Sequence, residues 1–101
     1  MFIYNVTTKI NRSIQEEWLE WMLKEHMPAH VSTNCFTHFQ SLKIHEQDDT
    51  EEATYVAQYF TKSKTDYNRY LDLYAKKLRK DTLATWGDNF VSFRTLLEIV
   101  Y

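Results

Sequence analysis

His26 and His30 stand four residues apart, the spacing that sets two imidazoles on one face of a helix for a metal ion. Pro28 lies between them and breaks such a helix, and Met27 stands where a His-Glu-x-x-His motif needs its general-base Glu. No metal is assigned to the pair. His38 and His45 fall on opposite faces of any strand and cannot join each other. His26 taken alone closes a tryptophan-rich stretch beside the kink that Pro28 forces, where a pocket mouth can form. An imidazole beside Trp18 and Trp21 can serve as acid or base on an aromatic or quinone-like substrate. The plainer role, a helix-end histidine favoured by the helix dipole, is preferred.

Trp18, Trp21, Tyr59 and Tyr70 are the candidate lining of a small-molecule cavity, although residues such as Trp18, Trp21 and the stripe Tyr67, Tyr70, Tyr74 at helical spacing equally make plain core. Buried Tyr and Trp need polar partners, so some of these rings should reach an edge or a pocket. Arg94 and Glu98 share one strand face. In a two-fold dimer each can meet the other's partner, and this interface role is favoured over a carboxylate-binding Arg94 in a cavity. The cations from Lys76 to Lys80 read as a solvated face. The acids Asp48, Asp49, Glu51 and Glu52 read as a solvated hairpin tip without the glycine of a calcium loop. Nothing near Cys35 activates its thiol.

The composition limits what these residues can serve. With 101 residues there is room for one core, so residues 1–101 are expected to form a single domain. One cysteine excludes an internal disulfide and any cysteine-based zinc site. One glycine excludes the glycine-rich phosphate loops of the common nucleotide folds. A formal net charge of −2 argues against non-specific nucleic-acid binding, which needs a basic field. No leader and no membrane span is expected, which makes the cytoplasm the simplest compartment. Sixteen percent of the residues are Phe, Trp or Tyr, a share that suits interfaces and apolar pockets.

The elements that must position these residues follow from periodicity. Residues 2–10 alternate as a strand. Ser13 and Glu16 form a capping box that starts a helix, carried by Ile14, Trp18, Trp21 and Met22 and ended or kinked by Pro28, with a second short turn expected near Ala29 to Thr33. Residues 36–46 and 53–61 read as a hairpin around an acidic turn at 47–52. Ser63 caps a second helix that runs through Leu78 and continues, or restarts after Asp81, to Trp86, with Gly87 as its C-terminal cap. Residues 90–101 form the last strand, with Val91, Phe93, Leu97 and Ile99 on one apolar face. The order βαββαβ predicts an α+β, ferredoxin-like sandwich: a four-stranded antiparallel sheet with two helices on one face. The other face stays partly apolar, and pairing it with a second copy gives a two-fold homodimer.

Tyr4-Asn5-Val6-Thr7, Trp18-Leu19-Glu20-Trp21-Met22 followed by Glu25-His26-Met27-Pro28, Gln58-Tyr59-Phe60, and Phe90-Val91-Ser92-Phe93-Arg94-Thr95 before Leu97-Glu98 together resemble a small bacterial family of domains of unknown function. The resemblance covers nearly the whole chain and implies a stand-alone cytoplasmic domain with no established activity. Ile is expected where Met27 stands, a mild departure. The element order also resembles the dimeric α/β-barrel superfamily, which holds cofactor-free monooxygenases, haem-degrading enzymes, isomerases and proteins without a known reaction.

Three functions follow as expectations. The first is an uncharacterised homodimeric domain, without a cofactor, that binds a small apolar or aromatic ligand. The second is a cofactor-free monooxygenase or isomerase with His26 as acid or base. The third is single-stranded RNA binding through Tyr4, Tyr55 and Tyr59 on the sheet, although the Gly-aromatic signature of that module is missing.

Overall fold

The computed structural model describes residues 1–45 and 52–101. Four strands form one antiparallel sheet: β1 (Phe2–Asn11), β2 (His38–Lys43), β3 (Glu52–Thr61) and β4 (Phe90–Glu98), in the order β2-β3-β1-β4. The long strands β1 and β3 are central. Their register sets Tyr4 opposite Tyr59, Val6 opposite Ala57 and Thr8 opposite Tyr55. These residues and Ile10 point at the helices, and most are buried. On β4 the residues paired with that face are Phe90, Ser92, Arg94 and Leu96.

Helical structure between β1 and β2 is built in four pieces: a 3₁₀ turn (Arg12–Ile14), α1 (Gln15–Trp21), a π turn (Met22–His26) and α2 (Met27–Ser32). The expected capping box does not form. The Asn11 side chain accepts the Ser13 N–H at 2.9 Å, and α1 starts one residue later, from Ile14, without a side-chain cap. Asn11 already supplies a capping oxygen, so the 3₁₀ turn takes the place where Ser13 was expected to begin the helix.

Of the two outcomes expected at Pro28, an end or a kink, the helical run does not end: it passes through a π turn and goes on as α2, where the second short turn was expected. In the π turn the bonds reach one residue further back, as in Met27 N–H to Met22 C=O. Pro28 then sits in the first turn of α2, where no N–H is required and its ring avoids the clash of a continuous α-helix. The helical face turns at this point, which brings both His26 and His30 inward.

After β3, Ser63 accepts the Asp66 N–H at 3.1 Å and starts α3 (Lys64–Leu73), the cap that the sequence predicts. The chain breaks at Tyr74, with φ −127° and ψ −31°, and resumes as α4 (Ala75–Trp86). This break lies earlier than the restart expected after Asp81. Gly87 closes α4 at φ 62°, its N–H bonded to the Leu83 carbonyl at 2.8 Å. The expected acidic hairpin turn falls largely on residues 46–51, outside the described residues.

All helices pack on one sheet face. The other carries Ile3, Val56, Phe60, Val91, Phe93, Leu97 and Ile99 among polar neighbours, and its β4 apolar residues are largely exposed. Tyr4, Tyr55 and Tyr59 are not on it. They are buried beneath the helices, so the expectation that they stack on RNA bases is corrected: no base can reach those rings in the folded chain. No helix of the described residues is long and apolar enough to cross a membrane.

Candidate functional site

Between the sheet and the helices lies a cavity of about 60 Å³, lined by residues of every helical segment except the 3₁₀ turn, and by three strands. Its floor is the β1–β3–β4 face, with Tyr4, Tyr59 and Arg94. Its walls are Trp18 of α1, Met22 and His26 of the π turn, His30 of α2, Tyr70 of α3, and Leu78, Arg79 and Thr82 of α4.

The two imidazoles are the chemical centre. Their rings meet edge to face at 4.8 Å. His30 stacks on Tyr59 at 4.0 Å, and His26 stacks on Trp21 at 4.5 Å. Burial lowers the His26 imidazole to about 4, with Asp81 opposing this and Arg94 adding to it. Burial lowers His30 further, to about 3. The neighbouring His26 and the charges of Arg79 and Arg94 push the same way, against the hydrogen bond to the His26 carbonyl. Both rings are therefore neutral at pH 7.

Neutrality fixes the tautomers. His30 Nδ1 lies 2.9 Å from the His26 carbonyl, which can only accept, so Nδ1 carries the proton. Nε2 of His30 then accepts from the Tyr70 hydroxyl at 3.1 Å. The Thr82 hydroxyl donates to the Leu78 carbonyl at 3.0 Å, so it accepts from His26 Nε2 at 3.3 Å. His26 Nδ1 is left as a lone pair with no hydrogen-bond partner among the described residues.

Two guanidinium groups complete the site. Arg79 donates to the Tyr4 hydroxyl at 3.2 Å, its one hydrogen bond among the described residues. Arg94 makes no hydrogen bond or ion pair there. Both residues line the cavity yet are exposed, which places them at its opening. Burial raises the Tyr70 phenol, and Tyr4 acts in the same direction, so Tyr70 stays protonated and serves as a donor.

Of the residues picked from sequence, Trp18, Tyr59, Tyr70 and His26 meet in this cavity. Trp21 lies on the far side of His26, in an open groove of about 370 Å³ with Glu25, Ala29, Leu78 and Asp81. Arg94 faces the cavity rather than the bare sheet face. Glu98 lies on the same side of β4, opposite Phe2 of β1. Sequence reasoning missed Arg79, which it counted with the solvated lysines, and the inward turn of His30. Lys77 does pair outward with Asp81 at 3.1 Å. The signal for Arg79 was its place next to Leu78 at the end of the apolar stripe. Among the described residues no group of three or more His, Cys, Asp or Glu could hold a metal. Cys35 is buried and free.

No curated protein matches the chain significantly in sequence. Among solved structures it is similar over its whole length to a dimeric ferredoxin-like protein from an uncultured marine organism, with 13% identity, 96% of that chain covered and a TM-score of 0.72. It is also similar over 99% of its length to an ethyl tert-butyl ether (EthD) family protein from Bacillus halodurans, with 11% identity, all of that chain covered and a TM-score of 0.67. SnoaB, a cofactor-independent oxygenase from Streptomyces nogalater, matches over 99% of this chain and 94% of its own, with 12% identity and a TM-score of 0.62. These likenesses establish the ferredoxin-like fold. The family model of a domain of unknown function, DUF4286, matches residues 1–100, and the chain belongs to that family.

Proposed function

We propose that this chain is a cytoplasmic, single-domain bacterial protein that forms a homodimer through its bare sheet face and binds a small molecule in the cavity beneath its helices. The observation that carries the ligand reading is the cavity itself. Cores close-pack, and voids larger than a water molecule are few. This one joins two neutral imidazoles and two guanidinium groups to apolar walls, the mixture that small-molecule sites use. Its volume, about 60 Å³, sets a limit on the occupant. A cavity of about 150 Å³ holds benzene, so a body smaller than an aromatic ring fits the cavity as it stands. The dimer reading rests on the exposed Val91, Phe93, Leu97 and Ile99, and on the dimeric state named for the marine neighbour.

Native mass spectrometry on protein purified without refolding tests both parts. The expected result is a dimer mass carrying a discrete small adduct. A bare dimer that takes up no member of a small-molecule panel removes the ligand, and a clean monomer removes the pairing.

A second reading is acid–base catalysis at His26, as in a cofactor-free oxygenase or isomerase. It is favoured by the unpartnered Nδ1 lone pair and by the place of His26 between the cavity and the Trp21 groove, which is large enough for an aromatic ring. Oxygen uptake with a quinol panel, lost in His26→Ala, is the result expected of this reading. No uptake with any quinol removes the oxygenase form.

A further inference from the structure

We infer that the cavity takes a short-chain carboxylate, its anionic group held at the opening by Arg79 and Arg94 and its alkyl body lying among Val6, Met22, Leu78 and Phe90. The inference rests on the ligand reading above and names the ligand's class. Four observations carry it.

The first is charge. Two arginines line the cavity and no Asp or Glu does. The chain as a whole has a formal net charge of −2, so this opening is a local exception to its balance. Asp81, the acid whose charge acts on His26, is held by Lys77 at 3.1 Å.

The second is unused hydrogen-bonding capacity. A guanidinium has five N–H donors. Arg79 commits one of them to Tyr4, and Arg94 commits none among the described residues. Both are free to donate to an oxyanion, and a planar carboxylate matches the guanidinium fork.

The third is orientation. The Tyr4 hydroxyl, itself buried, ties Arg79 back towards the sheet and away from the solvated lysines of the same helix. Arg94 reaches the same opening from β4, opposite Val6 in the register of β1. The two cations thus come from the two sides of the sandwich.

The fourth is size. A volume of about 60 Å³ behind the arginines accommodates a body of about two to four carbons rather than a ring, with the carboxylate left outside the apolar part. A phosphate or sulfate would satisfy the arginines but leave the apolar walls unfilled.

The test titrates the full-length chain with sodium propionate and with propionamide, which has the same heavy-atom shape without the charge, following side-chain resonances of His26, His30 and Tyr59 by NMR. Inorganic phosphate is the third probe. Propionate is expected to bind saturably and at least tenfold more tightly than either propionamide or phosphate. Arg94→Gln and Arg79→Gln are each expected to weaken propionate at least tenfold and to leave propionamide unchanged. Arg94 bonds nothing in the core, so its variant carries the test if Arg79→Gln unfolds. Equal binding of propionate and propionamide, unaffected by Arg94→Gln, overturns the carboxylate assignment while the cavity remains a ligand site. Phosphate binding as tightly as propionate overturns the alkyl part. If none of the three shifts the cavity resonances and pressurised xenon does not enter either, the ligand reading falls together with this one.

Discussion

The Tyr70 hydroxyl donates to His30 Nε2 at 3.1 Å, joining α3 to α2 across 40 residues of sequence in the buried centre of the domain. The bond is one link of a directed chain, since His30 Nδ1–H donates onward to the His26 carbonyl at 2.9 Å. Both partners are buried, so in the folded chain each depends on the other for this hydrogen bond. Tyr70→Phe keeps the ring, which packs against Tyr4 and Phe36, and removes only the donor. The expected cost is about 1–3 kcal/mol, the penalty for leaving a buried acceptor unsatisfied. Urea denaturation checks it. A loss under about 0.5 kcal/mol would mean that His30 Nε2 finds another donor once the Tyr70 hydroxyl is gone.

The two imidazoles also make stability depend on pH. In the folded chain burial holds His26 at about 4 and His30 at about 3, against an unfolded value near 6.5. Between these values the unfolded chain binds more protons than the folded one, so acidification favours unfolding. The loss begins as pH falls through about 6.5 and continues towards the folded values, at about 1.4 kcal/mol per pH unit for each histidine. Chemical denaturation at intervals from pH 7 to pH 4 measures the slope. In His30→Gln the slope should fall by roughly half. A flat profile from pH 7 to pH 5 would contradict the burial of both rings.

The sequence carried the architecture because the architecture follows from local alternation. Four strands, the cap at Ser63 and the stop at Gly87 each have a signal within a few residues, and each is present. The apolar side of β4, from Val91 to Ile99, was readable for the same reason. The site was harder to read because it depends on a break in periodicity. The π turn at Met22–His26 changes which way the following residues face, and no pattern of apolar residues announces it. Without that turn, Pro28 reads as the end or kink of one helix, and the short turn after it gives no sign that His30 faces inward. Arg79 was hidden for another reason. Its neighbours Lys76, Lys77 and Lys80 are solvated, and only the Tyr4 hydroxyl distinguishes it from them. Arg94 was visible, but the choice between sheet face and cavity face turns on parity along β4, and its partner across the sheet, Val6, settles it towards the cavity.

The misplaced helix start gives a direct test of capping. Asn11 holds the Ser13 N–H at 2.9 Å, while the Ser13 hydroxyl has no hydrogen bond among the described residues. Asn11→Ala should therefore cost about 1 kcal/mol, and Ser63→Ala, which removes the true N-cap of α3, a similar amount. Ser13→Ala should change stability by less than about 0.5 kcal/mol. Thermal or urea unfolding of the three variants decides between the two positions. If Ser13→Ala is the costly one, the capping box forms after all.

The bare sheet face yields the prediction with the largest effect. Phe93 is 62% exposed and Val91 66% exposed on β4, and neither contributes to the core. A charge placed there should leave the fold of one chain unaltered, because the replaced ring is already in solvent. In a two-fold dimer the same change enters the interface twice and sets like charges near each other in an apolar contact. Phe93→Glu is therefore expected to weaken self-association at least 100-fold, about 2.7 kcal/mol, with a circular dichroism spectrum like the parent's. Leu83 provides the control. It is 59% exposed, but on α4, on the opposite side of the sandwich, so Leu83→Glu should leave association unchanged. Sedimentation equilibrium of the three proteins gives the comparison. Loss of the dimer in Leu83→Glu but not in Phe93→Glu would move the interface to the helical side.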